Sequence, residues 1–182
     1  SAPLGWCSVP KATLEHVGER IVELLPRQSP STPCFIGRNM PAGRRTIAVI
    51  GAGNVGATCA FALAERKLGN IVMLDIFEGF AKGKALDMSQ AGQILNYDGV
   101  ISGTSSYEDI AGADVVVVTS GFPRQPGMTR EDLIAKNASI VQQVGEGIRE
   151  HAPESVIIMV TNPLDLMTYH MQKVTGFPSH RV

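Results

Sequence analysis

Four continuous apolar runs stand out along the chain, at Thr46–Ile50, Ile71–Asp75, Val115–Thr119 and Val156–Val160. Runs without polar alternation mark strands buried on both faces, the usual state of parallel strands. The segments between them change period. In residues 54–68 small residues lead, and Arg66 and Lys67 sit where a helix C-terminal dipole favours cations. In residues 79–95, Ala81, Ala85, Met88, Ala91 and Leu95 form one stripe. In residues 131–150 the stripe is Leu133, Ile134, Ile140, Val141, Val144 and Ile148. Ser106 and Asp109 have the spacing of a capping box for a short helix ahead of Val115. Strand and helix alternate throughout, which predicts an α/β fold with a doubly wound parallel sheet.

The first 39 residues do not share this pattern. They hold five of the 11 prolines. Leu14, Val17, Ile21, Leu24 and Leu25 recur at helical spacing up to Pro26, and residues 29–33 read as a linker. The segment mixes Lys11, Arg20, Arg27 and Arg38 with Glu15, Glu19 and Glu23, unlike a basic transit peptide, and has no apolar core for a signal peptide. Met40 is the first methionine, so residues 1–39 are expected to be an extension and residues 40–182 the domain proper. A peripheral helix is the other reading of the extension.

Composition narrows the function classes. The 182 residues carry 16 Lys+Arg against 17 Asp+Glu, a net charge of −1, which disfavours nucleic acid or a membrane surface as a partner held by bulk charge. With 44% hydrophobic residues the chain can bury a core, and only 5% aromatic content makes that core aliphatic. Cys7, Cys34 and Cys59 are odd in number and lack metal-ligand spacing. Free thiols in a reducing, cytoplasmic setting and no metal are therefore expected. No apolar run reaches membrane-spanning length.

Candidate chemistry begins at Gly51-Ala52-Gly53-Asn54-Val55-Gly56. A G-x-G-x-x-G pattern is weak alone, but here it follows a strand and opens a helix, the context a dinucleotide site requires. Gly51 permits the sharp turn, Gly53 leaves room for a pyrophosphate, and Gly56 lets helix and strand approach. The helix N-terminus offers N–H groups to phosphate. Asp75 ends the next strand 19 residues beyond Gly56 and would accept from both ribose hydroxyls, favouring NAD over NADP. A helix-capping role is the minority alternative.

The stretch from Thr119 to Arg130 leaves the carboxyl end of a strand, where open α/β sheets bind ligands. It carries Arg124 and Arg130 on a loop punctuated by glycine and proline, so it could close over an acidic substrate. Solvated surface arginines are the plainer reading. Asn137 interrupts an apolar stripe, either as a core amide satisfied by backbone or as a group reaching a cofactor cleft. Asn162-Pro163 follows the last apolar run, with Pro163 suited to a first helical turn. Asn162 either caps that helix or points its amide at a ligand, and residue chemistry leaves the two even.

These segments together resemble the N-terminal half of a malate dehydrogenase of the lactate-dehydrogenase-like type. The matching stretches are GAGNVG at 51–56, VMLDIFEG at 72–79, GKALDM at 83–88, VVVVTSGFPRQPGMTREDLIAKNASI at 115–140, VIIMVTNPLDLMTY at 156–169 and GFPSHRV at 176–182. The resemblance implies a Rossmann NAD-binding domain without its C-terminal substrate domain, from an enzyme that oxidises malate to oxaloacetate with NAD. It also implies that Arg124 and Arg130 bind the dicarboxylate, with Arg130 polarising the reacting carbonyl when the loop closes. Gly51, Ala52, Gly53, Asn54, Val55, Gly56, Asp75, Asn137, Val160, Thr161 and Asn162 would line the NAD site, and Asn162 would also touch substrate. Related lactate dehydrogenases usually carry an uncharged residue at the place of Arg124, so lactate is the second choice of substrate. A homo-oligomer is implied for the full-length enzyme.

One departure qualifies this expectation. The family's proton-relay aspartate lies in an LDxAR-like motif and its histidine in a GxHGD-like motif, and neither occurs in these residues. His16, His151, His170 and His180 fit no such motif, so none is assigned as a base, and the chain alone is expected not to turn over malate. A non-catalytic NAD-binding module is the alternative from another function class.

Overall fold

The computed structural model describes residues 43–182. The helix and linker expected within residues 1–39, and the domain start at Met40, lie outside the described residues. Five strands form one parallel sheet: β1 (Thr46–Ile50), β2 (Asn70–Leu74), β3 (Ile101–Thr104), β4 (Val115–Val118) and β5 (Val156–Met159). Among the described residues four α-helices connect or follow them: α1 (Asn54–Glu65), α2 (Glu78–Leu95), α3 (Arg130–His151) and α4 (Leu164–Thr175).

The strand order is β3-β2-β1-β4-β5, with every pairing parallel. Winding therefore runs outward from β1 in one direction and restarts at β4 on its other side. That reversal opens a crevice at the carboxyl ends of β1 and β4. Strand β1 is wholly buried and feeds two cores. Ile47 and Val49 pack with α1 and α2 residues such as Leu63 and Ala81, whereas Ala48 and Ile50 pack with α3 and α4 residues such as Val141 and Met171. This period-2 division explains why the strand reads as one apolar run.

Several boundaries differ from the sequence expectation. Strand β3 was not expected, because Ser102 and Gly103 interrupt its apolar pattern. Gly103 is required by packing, since a Cβ there would lie 2.3 Å from the Ala81 carbonyl. Helix α1 stops at Glu65, not Leu68: Lys67 turns left-handed at φ 56°. Its N–H donates to Ala64 O and the Leu68 N–H donates to Leu63 O, which satisfies the final carbonyls. The expected Ser106–Asp109 capping box is also corrected. The Ser106 hydroxyl accepts from Glu108 N, whereas the Asp109 carboxylate takes the hydroxyl of Thr104. A genuine capping box lies at Thr129 and Asp132, starting α3. Finally, Pro163 stands just outside α4, in extended conformation, and follows a cis peptide bond from Asn162.

Candidate functional site at the switch point of the sheet

The three glycines of the first turn have three different surroundings. Gly51 has φ +100°, and an added Cβ would stand 2.8 Å from Ser120 N. Gly56 is buried against the turn, where a Cβ would meet Gly51 O at 1.8 Å and Thr119 Oγ1 at 2.7 Å. Gly53 is exposed, with nothing within 4 Å of its Cβ position. Gly53 is the N-cap of α1 and makes no side-chain cap bond, so the helix opens towards the crevice with bare N–H groups. Open space above one glycine, at the amino end of a 12-residue helix, suits the pyrophosphate of a dinucleotide. Asn54 and Val55 are exposed beside it and Ala52 is buried beneath.

Asp75 sits one residue beyond β2, and its own N–H extends the ladder to Thr104 O. Its Oδ2 accepts from Ala52 N at 2.7 Å and its Oδ1 from Phe77 N at 3.0 Å. The carboxylate is therefore a brace for the glycine turn and for the approach to α2, and it remains half-buried at the crevice edge.

Two residues after β4, at the head of the arginine-bearing stretch, belong to the site although their sequence alone gives neither a role of its own. Thr119 donates its hydroxyl to Gly51 O at 2.9 Å, tying β4 to the glycine turn. The Ser120 hydroxyl is buried and has no hydrogen-bond partner. An orphaned polar atom beside Gly51 is what remains where a ligand group is to be accepted. The only sequence signal for either was a small polar pair ending an apolar strand.

The β4–α3 loop starts here and is solvent-exposed from Gly121 to Gly127. Arg124 is exposed on it, with Nε at 3.5 Å from Met128 O. Arg130 is exposed at the first turn of α3. Among the described residues neither guanidinium forms a salt bridge. One cation on the loop and one at the start of α3 are thus left without an acidic partner among the described residues.

Thr161 and Asn162 follow β5. Thr161 is buried and donates to Ser120 O at 2.7 Å. Val160 prolongs the ladder through its N–H to Val118 O. Asn162 is exposed and does not cap α4, which has no side-chain cap. Asn137, 1% exposed, lies on α3 with its amide fully engaged by backbone. Its Oδ1 accepts from Phe122 N at 2.8 Å, and its Nδ2 donates to Asn162 O at 2.7 Å. The structure therefore brings the ends of β1, β2, β4 and β5 together around one opening. Among the described residues no group of histidine, cysteine and acidic side chains could hold a metal, and no helix is long and apolar enough to cross a membrane.

Comparison with known proteins agrees with this geometry. The family profile described as lactate/malate dehydrogenase, NAD binding domain, matches residues 45–182. A malate dehydrogenase from Sorangium cellulosum is 50% identical over 143 residues, covering 78% of this chain and 46% of that protein. One from Staphylococcus carnosus is 53% identical over 141 residues, 76% of this chain and 45% of that protein. Among solved structures, apo malate dehydrogenase from Picrophilus torridus superposes with TM-score 0.73 at 47% identity, covering 75% of this chain and 44% of that one. Lactate dehydrogenase from Cryptosporidium parvum, complexed with lactic acid and NAD, gives TM-score 0.71 at 40% identity, covering 76% and 44%. The chain spans less than half the length of the relatives it matches. With a parallel sheet, a glycine turn at its switch point and this profile over nearly all the described residues, the chain belongs to the lactate/malate dehydrogenase family and forms its NAD-binding domain.

Proposed function

We propose that this chain is the cofactor-binding part of an NAD-dependent malate dehydrogenase. The observation that carries the proposal is the position of the loop with Arg124 and Arg130. It leaves β4 beside the glycine turn, and both guanidiniums are exposed, with no salt bridge among the described residues. A bare dinucleotide-binding module has no use for two cations there, whereas a dicarboxylate needs both.

In this reading Gly51, Gly53 and Gly56 shape the turn that receives the pyrophosphate, with Ala52, Asn54 and Val55 around it. Asp75 accepts the ribose hydroxyls, Val160, Thr161 and Asn162 border the nicotinamide end, and Asn137 supports that border from behind. Bound NAD would supply the two-electron redox chemistry. Arg130 meets the reacting carbonyl and Arg124 the distal carboxylate when the loop closes, and Asn162 offers its amide to the substrate. The proton-relay motifs of the family are not among these residues, so the chain alone is read as binding NAD at best weakly and leaving malate unchanged. The full-length enzyme is read as a cytoplasmic homo-oligomer.

Lactate is the second reading, favoured by the lactate dehydrogenase neighbours. The two are separated by assaying the full-length enzyme with NADH on oxaloacetate and on pyruvate. Oxaloacetate is expected to be reduced far faster. Arg124→Gln is expected to lower kcat/KM for oxaloacetate by roughly a hundredfold or more, since it strands a carboxylate in a closed site at a cost of about 3 kcal/mol. Equal rates on both substrates before mutation would refute the malate assignment.

A further inference from the structure

We infer that Asn137 is a positioning residue that locks the root of the arginine-bearing loop to the turn carrying Asn162. The inference rests on the proposed function for its purpose, but not for its geometry. Its side chain makes no contact that α3 itself needs: every polar atom is spent outside the helix. Oδ1 takes the Phe122 N–H, and Nδ2 gives to Asn162 O at 2.7 Å and to Phe122 O at 3.3 Å. One amide thus binds both backbone groups of Phe122, at the root of a loop that is otherwise exposed, and the carbonyl of the residue before Pro163.

The neighbouring atoms leave this arrangement no slack. A Cβ on Gly121 would lie 2.6 Å from Thr161 Cγ2 and 3.4 Å from Asn137 Oδ1. Thr161 in turn holds Ser120 O. Residues 120–122 are therefore gripped by α3 on one side and by the end of β5 on the other, whereas the hydrogen bonds of residues 123–127 stay local, from Arg124 Nε to Met128 O and from Met128 N–H to Gln125 O. The hinge of the loop is placed between Phe122 and Pro123 by this grip. Loop closure would then move Arg124 relative to Asn162 without moving the wall that Ser120 and Thr161 form.

Asn137→Asp tests the bracket at almost constant shape. A neutral acid can donate its O–H to Asn162 O as the amide does, but an ionised carboxylate would face two carbonyl oxygens with no proton. Burial favours the neutral form and raises the pKa of the new group, so the bracket is present below that pKa and is lost as pH rises through it. Hydrogen exchange is measured on the 182-residue chain and compared with wild type at the same pH, which removes the intrinsic pH effect. At pH 8, protection of the Phe122 amide, whose N–H Asn137 Oδ1 accepts in the wild type, is expected to fall about tenfold or more, the scale of one broken buried hydrogen bond, with β1 and β2 unchanged. At pH 5 it is expected to return towards wild type. Gly121→Ala approaches the same contact from the loop side, at a φ any residue adopts, and is expected to deprotect residues 120–124 at both pH values. It keeps the test readable if Asn137→Asp is unfolded at pH 8. Unchanged loop protection in a folded variant, loss spread evenly over the sheet, or loss independent of pH in Asn137→Asp would each overturn the inference. Equal rates of the full-length enzyme on oxaloacetate and pyruvate would overturn the proposed function and leave these exchange results standing.

Discussion

The glycines at positions 53 and 56 should respond oppositely to the same added methyl group. At Gly56 the methyl would meet a backbone carbonyl, Gly51 O, at 1.8 Å. Ordinary contact requires α1 to retreat by about 1.5 Å. That movement also strains the Thr119–Gly51 hydrogen bond. Overpacking of this kind costs about 3 kcal/mol or more, worth roughly 10 °C in Tm for a domain of this size. At Gly53 the methyl enters open space at φ −61°. Alanine is a poorer N-cap than glycine but loses less backbone entropy on folding, two opposed effects of about 0.5 kcal/mol each, so the Tm should hardly move. The cost appears only when a pyrophosphate is to lie on that backbone, where steric conflict should weaken NADH binding about ten- to a hundredfold. Thermal melts and NADH fluorescence titrations of the two variants, run side by side, read both quantities. The reasoning fails if Gly53→Ala melts as early as Gly56→Ala. It fails equally if Gly53→Ala keeps wild-type NADH affinity.

Burial pushes the Cys59 thiol up to about 11, leaving roughly a hundredth of the thiolate an exposed cysteine has at pH 8. Cys59 should escape maleimide in the native chain and react after denaturation, as read by peptide mass mapping; rapid native labelling would contradict its place on the buried face of α1. At the start of α3, the Thr129 hydroxyl and then its backbone N–H hold the Asp132 carboxyl below the usual carboxylate range. A depressed folded pKa contributes stability above the unfolded value, and that contribution is lost as pH falls through the folded one. Thr129→Ala should therefore raise the Asp132 pKa in a carboxyl NMR titration and speed exchange in the first turn of α3 at neutral pH. An unmoved pKa would show that the capping box does not operate in solution.

The elements legible in the sequence were those whose physics is local or fully buried. Strand β1 could be read because each of its residues faces one core or the other. The glycine turn could be read because Gly51, Gly53 and Gly56 each answer a different steric demand. Strand β3 escaped because it borders the sheet, and Gly103 serves the close passage of α2 and not an apolar pattern. Asn137 and Asn162 were left open because their settings depend on three segments meeting. No local pattern says that the amide of one will hold the carbonyl of the other. Thr119 and Ser120 were given no role of their own for the same reason, since their partners lie across the switch point and not along the chain. The Ser106–Asp109 spacing misled because Thr104, outside the motif, competes for the carboxylate.

The strand order has a consequence in time as well as in space. Residues 46–104 can build β1, β2 and β3 as consecutive neighbours, but the pocket wall is still missing at that stage. It appears only when Val115–Val118 docks beside β1, pairing Ile47 with Val115, a contact between residues far apart in sequence with α1, β2, α2 and β3 between them. Pairing of strands so distant in sequence is the slower kind of contact to form. On a ribosome the glycine turn would emerge early and wait, its Gly51 carbonyl without Thr119, until the later strand arrives. Affinity for a dinucleotide is therefore acquired late and all at once, which makes NADH binding a reporter of completed folding for this chain.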